Sequence, residues 1–249
     1  MNYMLMLDFG TVLTGGLGFA LFIAVGLILS GVIVSLFPNI PEYALRKILH
    51  VVAFTGVFFL YWMISTPWDV VVLLVICGIL IIPLLKIVEK THLIPWFFVE
   101  KSTGEIGRSL VVFLLSQALI VAVFEGLYGQ RWLVCCQILM WGMGDAAAAI
   151  FGHLFGKTKI TWPLADQEKT YVGCFVCIVF AFIGALLGCG AGYVFKNVVV
   201  TTFPLGLFSL LGISVVVSLV EVFSKKGRDT LWMPLVASVL LHIMSRIIW

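Results

Sequence analysis

Residues 144–159 read GDAAAAIFGHLFGKTK: an acid, Asp145, four alanines, then Gly152 and Gly156, then Lys157 and Lys159. The stretch closes an apolar run that begins near Trp132, so Asp145 falls inside a segment long enough to cross a bilayer. A charge near the bilayer centre costs about 3 kcal/mol on insertion scales, so its surroundings must offset that cost. On a helix, Asp145, Ala149, Gly152 and Gly156 share one face, acidic at one end and small along the rest. Gly152-x-x-x-Gly156 has the spacing with which membrane helices pack closely, which accounts for the glycines but not for the acid or the lysines. Gly-His-Leu-Phe-Gly-Lys-Thr also looks like a phosphate-binding loop. It has three residues between the glycines where four are required, and a membrane span where a strand should precede, so that reading fails.

The rest of the chain is of the same kind. Of 249 residues, 62% are hydrophobic and 11% charged. Soluble domains carry about 25% charged residues, so this is a membrane protein. Eight spans are expected near 12–36, 48–66, 69–87, 109–125, 132–155, 171–195, 199–221 and 231–249, giving an all-α polytopic fold in a single domain over 1–249. Lysines and arginines collect after the odd-numbered spans: Arg46 and Lys47; Lys86, Lys90, Lys101 and Arg108; Lys157, Lys159 and Lys169; Lys225, Lys226 and Arg228. The other side holds only Arg131, Lys196 and Arg246. The positive-inside rule then places both termini outside and the odd loops in the cytoplasm. The first 11 residues contain no Lys or Arg, so no cleavable signal or transit peptide is expected.

All six cysteines fall within expected spans and read as small packing residues. Cys174-x-x-Cys177 has metal-like spacing, but no second pair or histidine accompanies it.

Unusual chemistry gathers in segments 40–50, 88–108, 156–173 and 221–234. Lys157, Lys159 and Lys169 make a cationic patch suited to a polyphosphate, or a headgroup contact at the membrane edge. The segment KTYVG, from Lys169 to Gly173, opens the sixth span and offers a helix N-terminus with its oriented N–H groups. Glu221 and Asp229 frame the basic turn of Lys225, Lys226 and Arg228. Two acids there can hold magnesium, and Asp229 can equally be a plain helix cap. Arg46 and His50 stand one turn apart at the start of span two. In the EKSTGEIGRS segment, Ser102-x-x-Glu105 has capping-box spacing. His92 and His242 receive no role, and His153 lies off the Asp145 face.

These residues occur in a recognisable order: Arg46-Lys47-x-x-His50; Glu105-x-x-Arg108; Asp145-x-x-Ala148-x-x-x-Gly152-x-x-x-Gly156-Lys-x-Lys159-Ile160; Lys169-Thr170-x-x-Gly173; Glu221; Asp229-x-x-x-x-Pro234-Leu235. From about residue 46 to 236 the chain resembles the CTP-dependent lipid kinases: dolichol, phytol and farnesol kinases and the CTP-using diacylglycerol kinase. It is more distantly similar to phosphatidate cytidylyltransferase. It departs from many of the kinases at Cys174, where they have Ser, and at Arg228-Asp229-Thr230, where phytol-kinase-like members read Asp-Asp-Asn.

The resemblance implies transfer of a phosphoryl group from CTP, with Mg2+, to the hydroxyl of a membrane lipid alcohol, either an isoprenoid or diacylglycerol. It assigns Asp145, Lys169, Arg46 and His50 to catalysis. Gly152, Gly156, Lys157, Lys159, Lys169, Thr170, Gly173 and Arg108 go to the nucleotide, and Asp145, Glu221 and Asp229 to the metal. The site loops would be cytoplasmic, in a prokaryotic inner membrane, with the bilayer as partner and no nucleic acid. The alternatives are cytidylyl transfer onto phosphatidate and transport of an anionic solute. Broken, paired half-helices of the transporter kind are not evident in the sequence, and the charges cluster at one leaflet.

Overall fold

The computed structural model describes residues 8–37, 39–90, 104–194, 205–225 and 227–247, with the side chains of 87–90 left out. The described residues form eight helices, α1 Phe9–Leu36, α2 Glu42–Met63, α3 Pro67–Lys90, α4 Glu105–Ile120, α5 Arg131–Phe155, α6 Tyr171–Val194, α7 Leu205–Phe223 and α8 Asp229–Ile247, each long and apolar enough to span a membrane once α4 is taken with its continuation to Leu127. A π-helical segment, Val121–Leu127, continues α4. The chain is thus an all-α, multi-pass membrane protein. It divides into two compact units, Met1–Leu127 and Tyr128–Trp249.

In the first unit, Asp8 caps α1, accepting from Gly10 N at 3.0 Å and from the Thr11 hydroxyl at 2.6 Å. Glycines let α1 and α2 approach: a side chain on Gly26 would meet Val52, and one on Gly56 would meet Phe19, Phe22 and Ile23. α3 opens with a proline at its first position, where the missing N–H costs nothing. Inside the bundle Tyr61 donates to Gln117 at 2.9 Å, joining α2 to α4.

Two expectations change here. Span two begins at Glu42, so Arg46, Lys47 and His50 lie within α2 and not in a loop over 40–50; Pro41 stops the chain from continuing helically any earlier. The capping box at Ser102 and Glu105 is not formed as a box. Gly104, at φ +72°, holds the cap position, and Glu105 is the first helical residue instead of the third. Ser102 itself lies outside the described residues, as do His92, Lys101, Lys196 and Lys226, and with them most of the 88–108 loop.

In the second unit α5 is the central element, packed against α6, α7 and α8. Its closest partner is α6, and small residues are the reason. Gly144 faces Cys177 and Ala181, Gly184 lies against the Leu139 backbone, and Gly188 against the Cys136 backbone. Van der Waals packing between closely approaching backbones replaces the hydrophobic effect that is missing inside a bilayer. α8 tolerates Pro234 in its second turn, and Ser238 donates to the Pro234 carbonyl at 2.7 Å.

Candidate functional site

The 156–170 connection is short, polar and folded back on itself. Ile160 N donates to Lys169 O at 2.9 Å, and Lys159 and Thr170 form a single antiparallel bridge pair. Its apolar side chains Ile160 and Ala165 are buried with Val222 of α7, and Cys174 of α6 packs against them. Asp166 fastens the loop. Its N–H donates to Val222 O at 2.9 Å, and its carboxylate accepts from Glu168 N at 3.0 Å. Nothing in the local sequence marked Asp166 for this role, because the contact is made to a residue of another span. Leu164, at φ +69° and 80% exposed, marks the tight turn at the loop tip.

This fold delivers Lys169 to the end of α7. Its ammonium donates to Glu221 Oε1, and Asp229 Oδ2 at the start of α8 stands 3.9 Å away. Glu221 is 2% exposed and the lysine side chain 22%. Asp145, 4% exposed on α5, also acts electrostatically on Lys169. Burial works against the lysine's charge. The three carboxylates, Glu221 first, outweigh it and hold the pKa of Lys169 well above the ordinary lysine value. Lys169 is therefore a fixed positive charge and not a proton carrier. Asp229 is the first residue of α8: its Oδ1 accepts from the adjacent Thr230 N at 2.9 Å, which is not the bond of a helix cap, and its Oδ2 faces the lysine.

Three residues from three segments, Lys169, Glu221 and Asp229, thus meet at one end of the second unit, and Asp145 on α5 acts on the lysine from within the same unit. Carboxylate oxygens beside this lysine are ligands of the type that a hard cation takes. Among the described residues, no three of His, Cys, Asp or Glu form a group that holds an ion by themselves. Magnesium does not require one, since it takes one or two carboxylates and fills its octahedron with phosphate and water oxygens.

The glycines do something else. A side chain on Gly152 would come within 3.1 Å of Thr170 Oγ1, and one on Gly156 would collide with Thr170 and with the Gly152 carbonyl. Gly173 sits against the Ala148 carbonyl in the same contact. Gly152, Gly156, Thr170 and Gly173 are one packing unit, the close helix crossing that their spacing suggested. The open helix N-terminus expected at 169–173 is not there. Gly173 N donates to Thr170 Oγ1 at 3.1 Å and Tyr171 N to Thr158 O at 3.3 Å, so the chain caps its own helix.

Lys157 and Lys159 project from the loop and are exposed. His153 is exposed too, bonded to the Ala149 carbonyl at 2.8 Å. Cys174 Sγ lies 3.3 Å from Ser218 Oγ, and the Cys174 carbonyl accepts from that hydroxyl at 2.9 Å, tying α6 to α7 just behind Glu221. Arg46, His50 and Arg108 belong to the first unit. Arg46 and His50 are half-buried on α2, and Arg108 is exposed on the first turn of α4. The first unit also buries Glu125, 7% exposed, in the π-helical segment, a feature that hydropathy did not single out.

In comparisons with known proteins, no family model, no curated protein and no solved structure matches the chain.

Proposed function

We propose that the chain is a nucleotide-dependent lipid kinase, transferring the terminal phosphoryl group of CTP to the hydroxyl of a membrane lipid alcohol. One observation carries the reading: Lys169 from a loop meets Glu221 at the end of α7 and Asp229 at the start of α8, with Asp145 of α5 acting electrostatically on the same lysine. Phosphoryl transfer asks a protein mainly to position its reactants and to cancel charge on phosphate oxygens. A lipid hydroxyl lies at headgroup level, and Glu221 and Asp229 stand at the ends of their spans. Lys157 and Lys159 attract the polyphosphate from solution, and Lys169 supplies a permanent charge beside the carboxylates. Magnesium, when bound, would neutralise phosphate charge, with Asp145, Glu221 or Asp229 as its protein ligands. Asp145 either holds that ion or takes the hydroxyl proton as the oxygen bonds to phosphorus and the nucleoside diphosphate leaves. The two glycines and Thr170 hold α5 and α6 in register beneath the cluster.

The orientation read from the lysines and arginines places this end in the cytoplasm, where nucleotides are available. Purified protein with labelled CTP and a panel of isoprenoid alcohols, diacylglycerol and phosphatidate tests the proposal. The phosphate monoester of the lipid alcohol and CDP are the expected products. Release of pyrophosphate assigns cytidylyl transfer instead, and no nucleotide-dependent product with any lipid removes the enzyme reading.

A further inference from the structure

Near the end of the second unit opposite Lys169, two thiols face each other across the α5–α6 contact. Cys136 Sγ and Cys189 Sγ are 3.5 Å apart, and Cys136 Sγ also donates to the Ala185 carbonyl at 3.4 Å. We propose that Cys136 and Cys189 are a peroxide-responsive dithiol, which closes to a disulfide tying α5 to α6.

Three features favour this over packing alone. The two helix backbones are already in close contact beside the pair, with Gly188 against Cys136 and Gly184 against Leu139, and the two sulfurs stand 3.5 Å apart, so a bond needs only a short approach. The two thiols differ in access: Cys136 is fully buried, whereas Cys189 is only partly so. That is the arrangement of an attacking thiol with a resolving partner behind it. The third feature is depth. Cys136 is the sixth residue of α5, about 8 Å along the helix from its start and on the far side of the membrane from the lysine-rich loop. Under the positive-inside orientation this is the non-cytoplasmic side, where disulfides form and persist.

The oxidant is hydrogen peroxide, small and neutral enough to reach a thiol near the membrane surface. The Cys189 sulfur attacks one peroxide oxygen, the O–O bond breaks, and Cys189 becomes a sulfenic acid with release of one water. The Cys136 sulfur then attacks the Cys189 sulfur, the S–O bond breaks, and the Cys136 proton leaves with the hydroxyl as a second water. Two thiols have lost two electrons, and one peroxide has become two waters. The bond would clamp the upper part of the same helix pair whose other end carries Asp145 and Thr170. The inference stands on the thiol geometry and the membrane orientation, and does not depend on the kinase reading.

The test uses the full chain, purified in detergent and fully reduced, then treated with hydrogen peroxide and denatured under alkylating conditions. Alkylation is expected to fall from six thiols to four, with a mass loss of about 2 Da, and with fragmentation placing the cross-link between Cys136 and Cys189 and not Cys135. Oxidised protein should also melt several degrees higher. Cys136→Ser should leave Cys189 trapped as a sulfenic acid that reacts with dimedone, while Cys77→Ser should change nothing. Six alkylated thiols in peroxide-treated wild type, or a cross-link that omits either residue, overturns the proposal. Because wild-type mapping alone gives this result, a variant that fails to fold does not weaken the test.

Discussion

Lys169 donates to Glu221 from a position 52 residues earlier in the chain, and the acceptor is 2% exposed. The pair joins the loop before α6 to the end of α7, and Asp229 brings the start of α8 to within 3.9 Å of the same nitrogen. A buried carboxylate at this depth is tolerable because its partner charge is fixed beside it. Removing one partner is costly, while removing both is far less so.

Lys169→Met should therefore destabilise the protein by about 3 kcal/mol, and Glu221→Gln by less, since it removes the buried charge itself. Lys169→Met combined with Glu221→Gln should be more stable than Lys169→Met alone. Thermal midpoints in detergent give this double-mutant cycle, and additive losses would refute the coupling. The pH dependence follows from the raised pKa of Lys169. Its stabilisation is fully present below the unfolded lysine value and is lost only as pH rises through the higher folded value. Deprotonation of Lys169 should accordingly contribute no loss of wild-type stability between about pH 6 and 9, and a wild-type melting temperature that falls within that window with the lysine's titration would refute it.

Asp145 lies 4% exposed on the central helix of its unit. Asn keeps its shape and part of its hydrogen bonding, but is a poor magnesium ligand and no base at neutral pH. Asp145→Asn is expected to melt within about 1 kcal/mol of wild type and to lose nucleotide-dependent phosphorylation of lipid. A folded and fully active Asp145→Asn would take Asp145 out of the site.

Exposure separates the loop lysines from Lys169. Lys157→Ala and Lys159→Ala should leave the melting temperature unchanged, because both side chains are exposed. Each should raise the KM for CTP several-fold at low ionic strength, with the effect shrinking as salt screens the charges. Unaltered KM values in both variants would reduce the patch to a topology signal.

The α5–α6 contact predicts opposite outcomes for glycines of the same helix. Gly184→Ala and Gly188→Ala place a methyl group against the backbones of Leu139 and Cys136, which cannot rotate away. Each should cost about 1–3 kcal/mol. At Gly190 a side chain meets nothing within 4 Å, so Gly190→Ala should be neutral, or stabilising by about 0.5 kcal/mol. Thermal melts of the three variants side by side decide it, and equal losses at all three positions would contradict the packing described.

Sidedness is open to direct measurement. Reporters or single cysteines placed in the 156–170 and 222–230 connections should be labelled from the cytoplasm, and both termini from outside. A cytoplasmic C-terminus would reverse the assignment of the Lys169 cluster to the nucleotide side.

The eight spans and the all-α class were legible in the residues alone, because crossing a bilayer is a local requirement. About 20 apolar residues must satisfy their own backbone hydrogen bonds, and each span does so independently of the others. Boundaries slipped where polar residues extend a helix past the apolar run, as at Glu42 to Ile48 of α2 and at Glu105 to Arg108 of α4. The residue types of the cluster were legible too, since Asp145 and Glu221 stand out against apolar neighbours. Their company was not. That Lys169 meets Glu221 while Lys157 and Lys159 stay exposed depends on how Ile160 and Ala165 bury against Val222 and on the hold of Asp166 on the α7 end. That Gly152, Gly156 and Gly173 are spent on Thr170 depends on the crossing of two helices. Such contacts join residues far apart in the chain, and hydropathy, spacing and charge read along one segment carry no term for them. Helix packing supplies it.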